Sequence, residues 1–224
     1  MADKDFWEYT DDFFGCRVFS VTQADDPDWR IDLQGSGPPV VPTIVTPSSS
    51  GECTMLTQSD DEAQSINLYQ SDILQYDIDK IREVEWRVKM NQAAVTATTI
   101  LDFGVASARD DDTTAIAALA FFTVAGASST TAVYINTDAN GAGDNNLVAT
   151  GTTLINAYKD FKISFAEGTA DVRFFIDGVP VATGTTFDMS NYTGSLQLYF
   201  QHGKSGGVGV DGVTIDRVSI RGVR

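Results

Sequence analysis

The chain has 224 residues, with 15 Lys plus Arg against 31 Asp plus Glu, for a formal net charge of −16. A surface this acidic repels phosphate backbones and anionic headgroups, which excludes nucleic acid and bare membrane as partners. Hydrophobic residues at 42 % suffice for a full core, and two cysteines cannot frame a disulfide-built fold.

The chain opens on Met1-Ala2-Asp3-Lys4-Asp5-Phe6-Trp7-Glu8-Tyr9. A secretory signal needs a basic start and then an apolar run, so synthesis in a cytoplasm is expected, with exit only as part of a particle released by lysis. No apolar stretch reaches the roughly 18 residues of a membrane span. Phe6, Trp7, Tyr9, Phe13, Phe14, Phe19 and Trp29 make the first segment aromatic as well as acidic. Pro38, Pro39, Pro42 and Pro47 close it and remove ladder donors. Residues 1–50 are therefore expected either as a first strand and its approach or as an extended arm docking on a neighbouring subunit. Residues 51–224 form the main domain.

Within that domain the period is two. From Glu83 to Met90 the even positions are apolar and the odd positions charged. Ile100 to Val105 is a further strand candidate. Ala115 to Ala125 is apolar on both parities, which fits a strand covered on both sides, although its alanines also permit a helix. Thr131 to Ile135 follows, and Asn140-Gly141 marks a tip. Phe161-Lys162-Ile163-Ser164-Phe165 alternates again, as do Val172, Phe174 and Ile176 with their polar neighbours. Asp177-Gly178 between two apolar runs is a hairpin signal. Leu196, Leu198 and Phe200 point inward against Gln197, Tyr199 and Gln201. Gly203 to Gly209 is a glycine-rich loop. In the last run Val213 and Ile215 share one parity and Val218 and Ile220 the other, so a bulge is expected at Asp216-Arg217. Short strands with regular turns specify an all-β antiparallel sandwich of the jelly-roll kind.

The runs Phe161 to Phe165, Asp171 to Val181, Ser195 to Gln201 and Val213 to Ile220 resemble the concanavalin A-like (laminin-G-like) lectin and glucanase jelly roll. Asp61 to Tyr69, Ile81 to Val88 and Phe187 to Gly194 are similar to segments of bacteriophage structural proteins with that fold. The resemblance covers about residues 50–222. It implies a non-enzymatic virion component on the capsid surface. The specific expectation is a capsid decoration (cement) protein that binds the major capsid protein and forms homo-oligomers. The alternatives are a glycan-binding, lectin-like module of a tail fibre or receptor-binding device, and a laminarinase-like glycoside hydrolase.

Candidate site residues are few. Hydrolases of this superfamily present Glu-x-Asp-x-(x)-Glu on one strand. The nearest pattern here is Glu83-x-Glu85-x-Arg87, where Arg87 replaces the third acid and Arg82 and Lys89 flank the pair. Those cations depress carboxyl pKa values and spoil a general acid, so a solvated face with cross-strand ion pairs is expected. Asp102 stands alone on its strand. Asn136, Asp138, Asn140 and Asp144 have the oxygen spacing of a calcium loop, but Leu147 stands where a bidentate Glu would close it. Asp110-Asp111-Asp112 reads as a polar loop, and His202 as a strand-end residue. Cys16 and Cys53 read as free thiols, with a single bridge as the alternative. Gly203-Lys204-Ser205-Gly206-Gly207 lacks phosphate-loop spacing. Tyr134, Phe175, Gln197, Tyr199 and Gln201 lie opposite the core parity, where they can contact a sugar or a protein. No catalytic, cofactor or metal residue is assigned.

Overall fold

The computed structural model describes residues 6–13, 19–20, 29–35, 43–44, 51–59, 61–70, 76–91, 97–110, 112–140, 145–154, 156–209 and 212–224. Two sheets face each other. The smaller runs in the order β15 (Val179–Val181), β14 (Arg173–Ile176), β13 (Lys159–Ser164), β8 (Ile81–Asn91), β17 (Gly212–Val223), β5 (Cys53–Leu56) and β4 (Thr43–Ile44). To it β1 (Phe6–Asp11) adds by pairing with β17. The larger runs β12 (Asn145–Thr153), β11 (Ala132–Ala139), β10 (Ala118–Ala125), β9 (Thr99–Ala106), β16 (Ser195–Lys204), β6 (Gln64–Tyr69), β3 (Trp29–Gln34) and β2 (Phe19–Ser20). Here β7 (Tyr76–Asp77) pairs with the start of β16. All pairings are antiparallel except β2 with β3. The all-β sandwich expected from the alternation is the observed architecture.

The inward parity of both sheets builds one aromatic-rich core. Trp86 of the smaller sheet meets Phe103 and Phe200 of the larger, with ring centroids 6.3 and 5.6 Å apart. Phe122 and Phe174 repeat the contact edge-on at 5.3 Å. Edge-on geometry places the positive rim of one ring against the negative face of the other.

Local sequence signals hold in detail. Asp177 and Gly178 take φ of 51° and 77° in the β14–β15 turn, the left-handed pair that matches strand twist. The ladder between β17 and β8 shifts register between Ile215 and Arg217, at the expected bulge. The run from Ala118 is a strand and not a helix, buried on both faces.

Of the first 50 residues, the described strands β1, β2, β3 and β4 pair within the two sheets. Asp11 fixes this segment. Its fully buried carboxylate accepts from the Phe13 N–H at 2.7 Å and from Trp29 Nε1 at 2.8 Å. Trp7 stacks on Tyr76 at 4.9 Å and donates its indole N–H to the Val223 carbonyl at 2.9 Å. Cys16 lies outside the described residues. Cys53 is a buried free thiol whose pKa is pushed up to about 12, first by burial and then by the charge of Asp11.

Candidate functional site

The outer face of the larger sheet carries polar side chains that the solvent barely reaches. Strand register sets them in transverse rows. One row reads Tyr134, Thr123, Asp102, Gln201, Asn67 and Asp32 across β11, β10, β9, β16, β6 and β3. The next reads Asn136, Phe121, Gly104, Tyr199, Tyr69 and Arg30 on the same strands. Tyr134, Gln197, Tyr199 and Gln201 thus stand together as their parity predicts, whereas Phe175 belongs to the outer face of the smaller sheet.

Members of the polar row are held by hydrogen bonds in two groups. Thr123 Oγ1 donates to Asp102 Oδ1 at 2.6 Å, and Asn136 Nδ2 donates to Thr123 Oγ1 at 3.0 Å. Gln201 Nε2 donates to Ser65 Oγ at 3.0 Å. Asp102 is 4 % exposed, and burial pushes its carboxyl from 3.8 up to about 6 against the opposing pull of the Thr123 hydrogen bond. In the sequence Asp102 stands as one acid on one strand. Its row neighbours come from strands distant in sequence, so only the register reveals them.

In the aromatic row, Phe121 and Tyr199 stack at 5.4 Å across the strand between them. Gly104 occupies the intervening position with φ of 154°, and a Cβ there would lie 2.1 Å from the Ala120 carbonyl oxygen. Glycine is therefore required both by the close backbone approach and by the ring contact above it. The β9–β10 connection folds back over this row. Ile116 packs with Phe121, Tyr199, Tyr69, Leu119 and Ala106, and the Tyr199 hydroxyl lies 2.8 Å from the Asp110 carbonyl. Arg109 of the same connection forms an ion pair with Asp32.

Past the polar row the face opens into a cavity of about 340 Å³, lined by Gln34, Ser65, Ile100, Gln201, Gly35 and Gly203 among others. Amide and hydroxyl groups converge there beside Ile100, an exposed apolar side chain. A Cβ on Gly203 would meet the Gln64 carbonyl oxygen at 2.2 Å, so the floor is made of backbone. Lys204 next to it is buried and points the other way, donating to the carbonyls of Gln58, Gly207 and Gly209. It ties down the glycine-rich loop, a structural role for the Gly203–Gly207 segment.

The remaining candidates lie elsewhere. Glu83 and Glu85 stand on the outer face of the smaller sheet, where Glu83 pairs with Arg221 and with Lys162 at 3.6 Å. Arg87 pairs with Asp160 at 3.0 Å and Asp216 at 2.8 Å. Asn136 uses its carbonyl on the Leu147 N–H at 2.6 Å and its amide on Thr123, while Asn140 donates to the Asn191 carbonyl. Gly141, Gly143 and Asp144 lie outside the described residues, as does Asp111. Asp110 and Asp112 accept backbone N–H groups of their own turn. No group of three potential metal-ligating His, Cys, Asp or Glu side chains occurs among the described residues. His202 points into the core and is fully buried.

No family model matches the chain, and no curated protein matches its sequence. Solved structures match over almost its whole length. A GH16 enzyme of the Bacteroides ovatus mixed linkage glucan PUL, in complex with the product G4G4G3G, superposes with a TM-score of 0.68 at 11 % identity, covering 95 % of this chain and 99 % of that one. A Bacillus licheniformis β-glucanase gives 0.62 at 14 %, covering 95 % and 97 %. The carbohydrate recognition domain of Emp47p gives 0.63 at 9 %, covering 99 % of each chain. These likenesses establish the concanavalin A-like jelly roll. They also correct the expectation of a non-enzymatic chain, because glucanases share this fold over 95 % of its length. The carboxylate Glu83 of β8 is taken up by ion pairs on the smaller sheet, while the enclosed carboxyl Asp102 lies on the outer face of the larger one.

Proposed function

We propose that this chain binds carbohydrate on the outer face of its larger sheet, at the cavity formed by Gln34, Ser65, Ile100 and Gln201. The observation that carries the reading is the polar row that leads inward from that cavity to Asp102. Amides and hydroxyls there match the hydroxyls of a sugar, and Ile100 offers an apolar patch for a sugar face. The solved structures that share the fold include a product-bound glucanase and a carbohydrate recognition domain, which supports the choice of ligand class.

A second reading, glycoside hydrolysis, is favoured by Asp102. Burial keeps its carboxyl protonated up to about pH 6, so it has a proton to give to a glycosidic oxygen. The narrower expectation of a capsid decoration protein rests on sequence resemblance, and its test is the protein composition of purified particles.

Calorimetric titration with oligosaccharides of neutral glucans tests the main reading, with reducing-end release measured in parallel. Binding that weakens at least about tenfold in Gln201→Ala, about 1.4 kcal/mol, is the expected result. Reducing ends that appear with the parent chain and vanish in Asp102→Asn establish the second reading. No heat with any neutral or charged glycan overturns carbohydrate binding at this face.

A further inference from the structure

The outer face of the smaller sheet holds a separate recess of about 300 Å³, lined by Thr54, Leu56, Lys89, Asn156, Gly212 and Thr214. Register explains it. Thr54, Thr214 and Lys89 stand side by side across β5, β17 and β8. One step along, Gly212 is opposite Leu56 and leaves the floor bare. The two threonine hydroxyls lie 3.2 Å apart at the base.

Tyr158 packs against Lys89, one of the lining residues. Its hydroxyl donates to Glu52, and both burial and that carboxylate hold its pKa above the ordinary tyrosine value, so it remains a donor. Two cations face its ring, Arg87 at 5.2 Å and Lys89 at 4.5 Å. The two cations are then treated differently. Arg87 is neutralised by Asp160 and Asp216. Lys89 has no carboxylate within salt-bridge distance among the described residues, and it borders the recess together with hydroxyl and amide groups. In a chain with 31 acidic residues against 15 basic ones, an ammonium beside a recess with no carboxylate in salt-bridge reach among the described residues is a selective feature.

We propose that this recess binds a sugar unit bearing one anionic group, the carboxylate of a uronate or a sulfate ester, with the charge on Lys89. The threonine hydroxyls and Asn156 face the sugar hydroxyls, and Leu56, itself exposed, supplies an apolar contact. A single ammonium with neutral donors matches a single negative charge and disfavours phosphate monoesters, which carry nearly two. The inference does not depend on the neutral-glycan site of the larger sheet, from which it is separated by the whole core.

The test is an amide-resolved NMR titration of the full chain with glucuronate, glucose 6-sulfate and glucose, repeated on Lys89→Met. Methionine keeps the apolar stem and removes the charge. The charged sugars are expected to shift the amides of Thr54, Lys89, Gly212 and Thr214, with glucose leaving them in place. A response to glucuronate alone or to the sulfate alone identifies the source of the charge. In Lys89→Met the affinity is expected to fall at least about tenfold, about 1.4 kcal/mol, with neutral-glycan binding at the larger sheet retained. Added salt weakens the interaction. Equal shifts with glucose, shifts that persist in Lys89→Met, or none at these amides overturn the proposal. Loss of the neutral-glycan signal in Gln201→Ala, by contrast, bears only on the larger sheet.

Discussion

The two outer faces of the sandwich show the same alternation in sequence and opposite physics in space. On the smaller sheet, Glu83, Arg87, Lys162, Arg221, Asp160 and Asp216 form ion pairs that water reaches, with side-chain exposures from 17 to 55 %. On the larger sheet, Asp102, Thr123, Asn67 and Gln201 are each at most 4 % exposed and hydrogen-bonded, Thr123 to Asp102, Tyr199 to Asn67 and Gln201 to Ser65. Exposed pairs are screened and contribute little, whereas buried polar groups are costly if one partner is lost. The contrast teaches that a polar stripe on a strand says nothing about burial until the cover is known. Over the neighbouring aromatic row the cover is the β9–β10 connection, with Ile116 packed on the rings and Arg109 paired with Asp32.

The largest effect is expected where the covered face leaves no space. Gly104→Val places a Cβ where the Ala120 carbonyl oxygen lies 2.1 Å away, and sets a branched side chain under the Phe121–Tyr199 stack. A loss of at least about 3 kcal/mol is expected in urea unfolding, from strain and overpacking together. A loss below about 1 kcal/mol would show the face to be looser than the packing indicates.

A smaller effect with a definite pH dependence is expected at Asp102. Its folded pKa, about 6, is raised above the ordinary value of 3.8, so the folded chain holds this proton more tightly than the unfolded one. The sign follows from linkage. Stability associated with Asp102 is fully present below about pH 4 and is lost as pH rises through about 6. The difference of roughly two units corresponds to at most about 3 kcal/mol. Asp102→Asn keeps the acceptor for Thr123 and removes the ionisation. The variant is expected to match the parent at pH 4 and to exceed it by about 1–3 kcal/mol at pH 8 in urea unfolding. Equal stability at both pH values would place a solvated carboxylate at this position. A gain in stability accompanied by loss of glycan binding or turnover would be the trade-off expected of a functional carboxyl.

Why the sequence pointed to the other face follows from the same contrast. Period-two runs, the Asp177-Gly178 turn and the parity switch at Asp216-Arg217 are local, and local chemistry determines them. Their outcome in the structure matches the reading closely. Which strands lie side by side is not local. Glu83 and Glu85 are two residues apart in the chain and were visible as a pair. Asp102 gains its neighbours Thr123 and Gln201 through pairings across 21 and 99 positions. The lone acid in Ile100-Leu101-Asp102-Phe103-Gly104 did carry a signal, since an acid between apolar residues must pay for desolvation or lie in a site.

The smallest effect is expected from the pair that drew attention first. Glu83→Gln combined with Glu85→Gln removes two carboxylates from β8. Glu83 loses its ion pairs with Arg221 and Lys162, but both cations remain accessible, with side chains 55 and 30 % exposed, and water replaces the carboxylate. Glutamine preserves the chain length and the strand packing. A cost of no more than about 1 kcal/mol is therefore expected, shrinking further in high salt. Carbohydrate binding and reducing-end release at the larger sheet are expected to be unchanged, since the hydrophobic core lies between. If the double variant instead abolished turnover while Asp102→Asn did not, the chemistry would belong to the ion-pair face, and the enclosed polar row would be a structural brace.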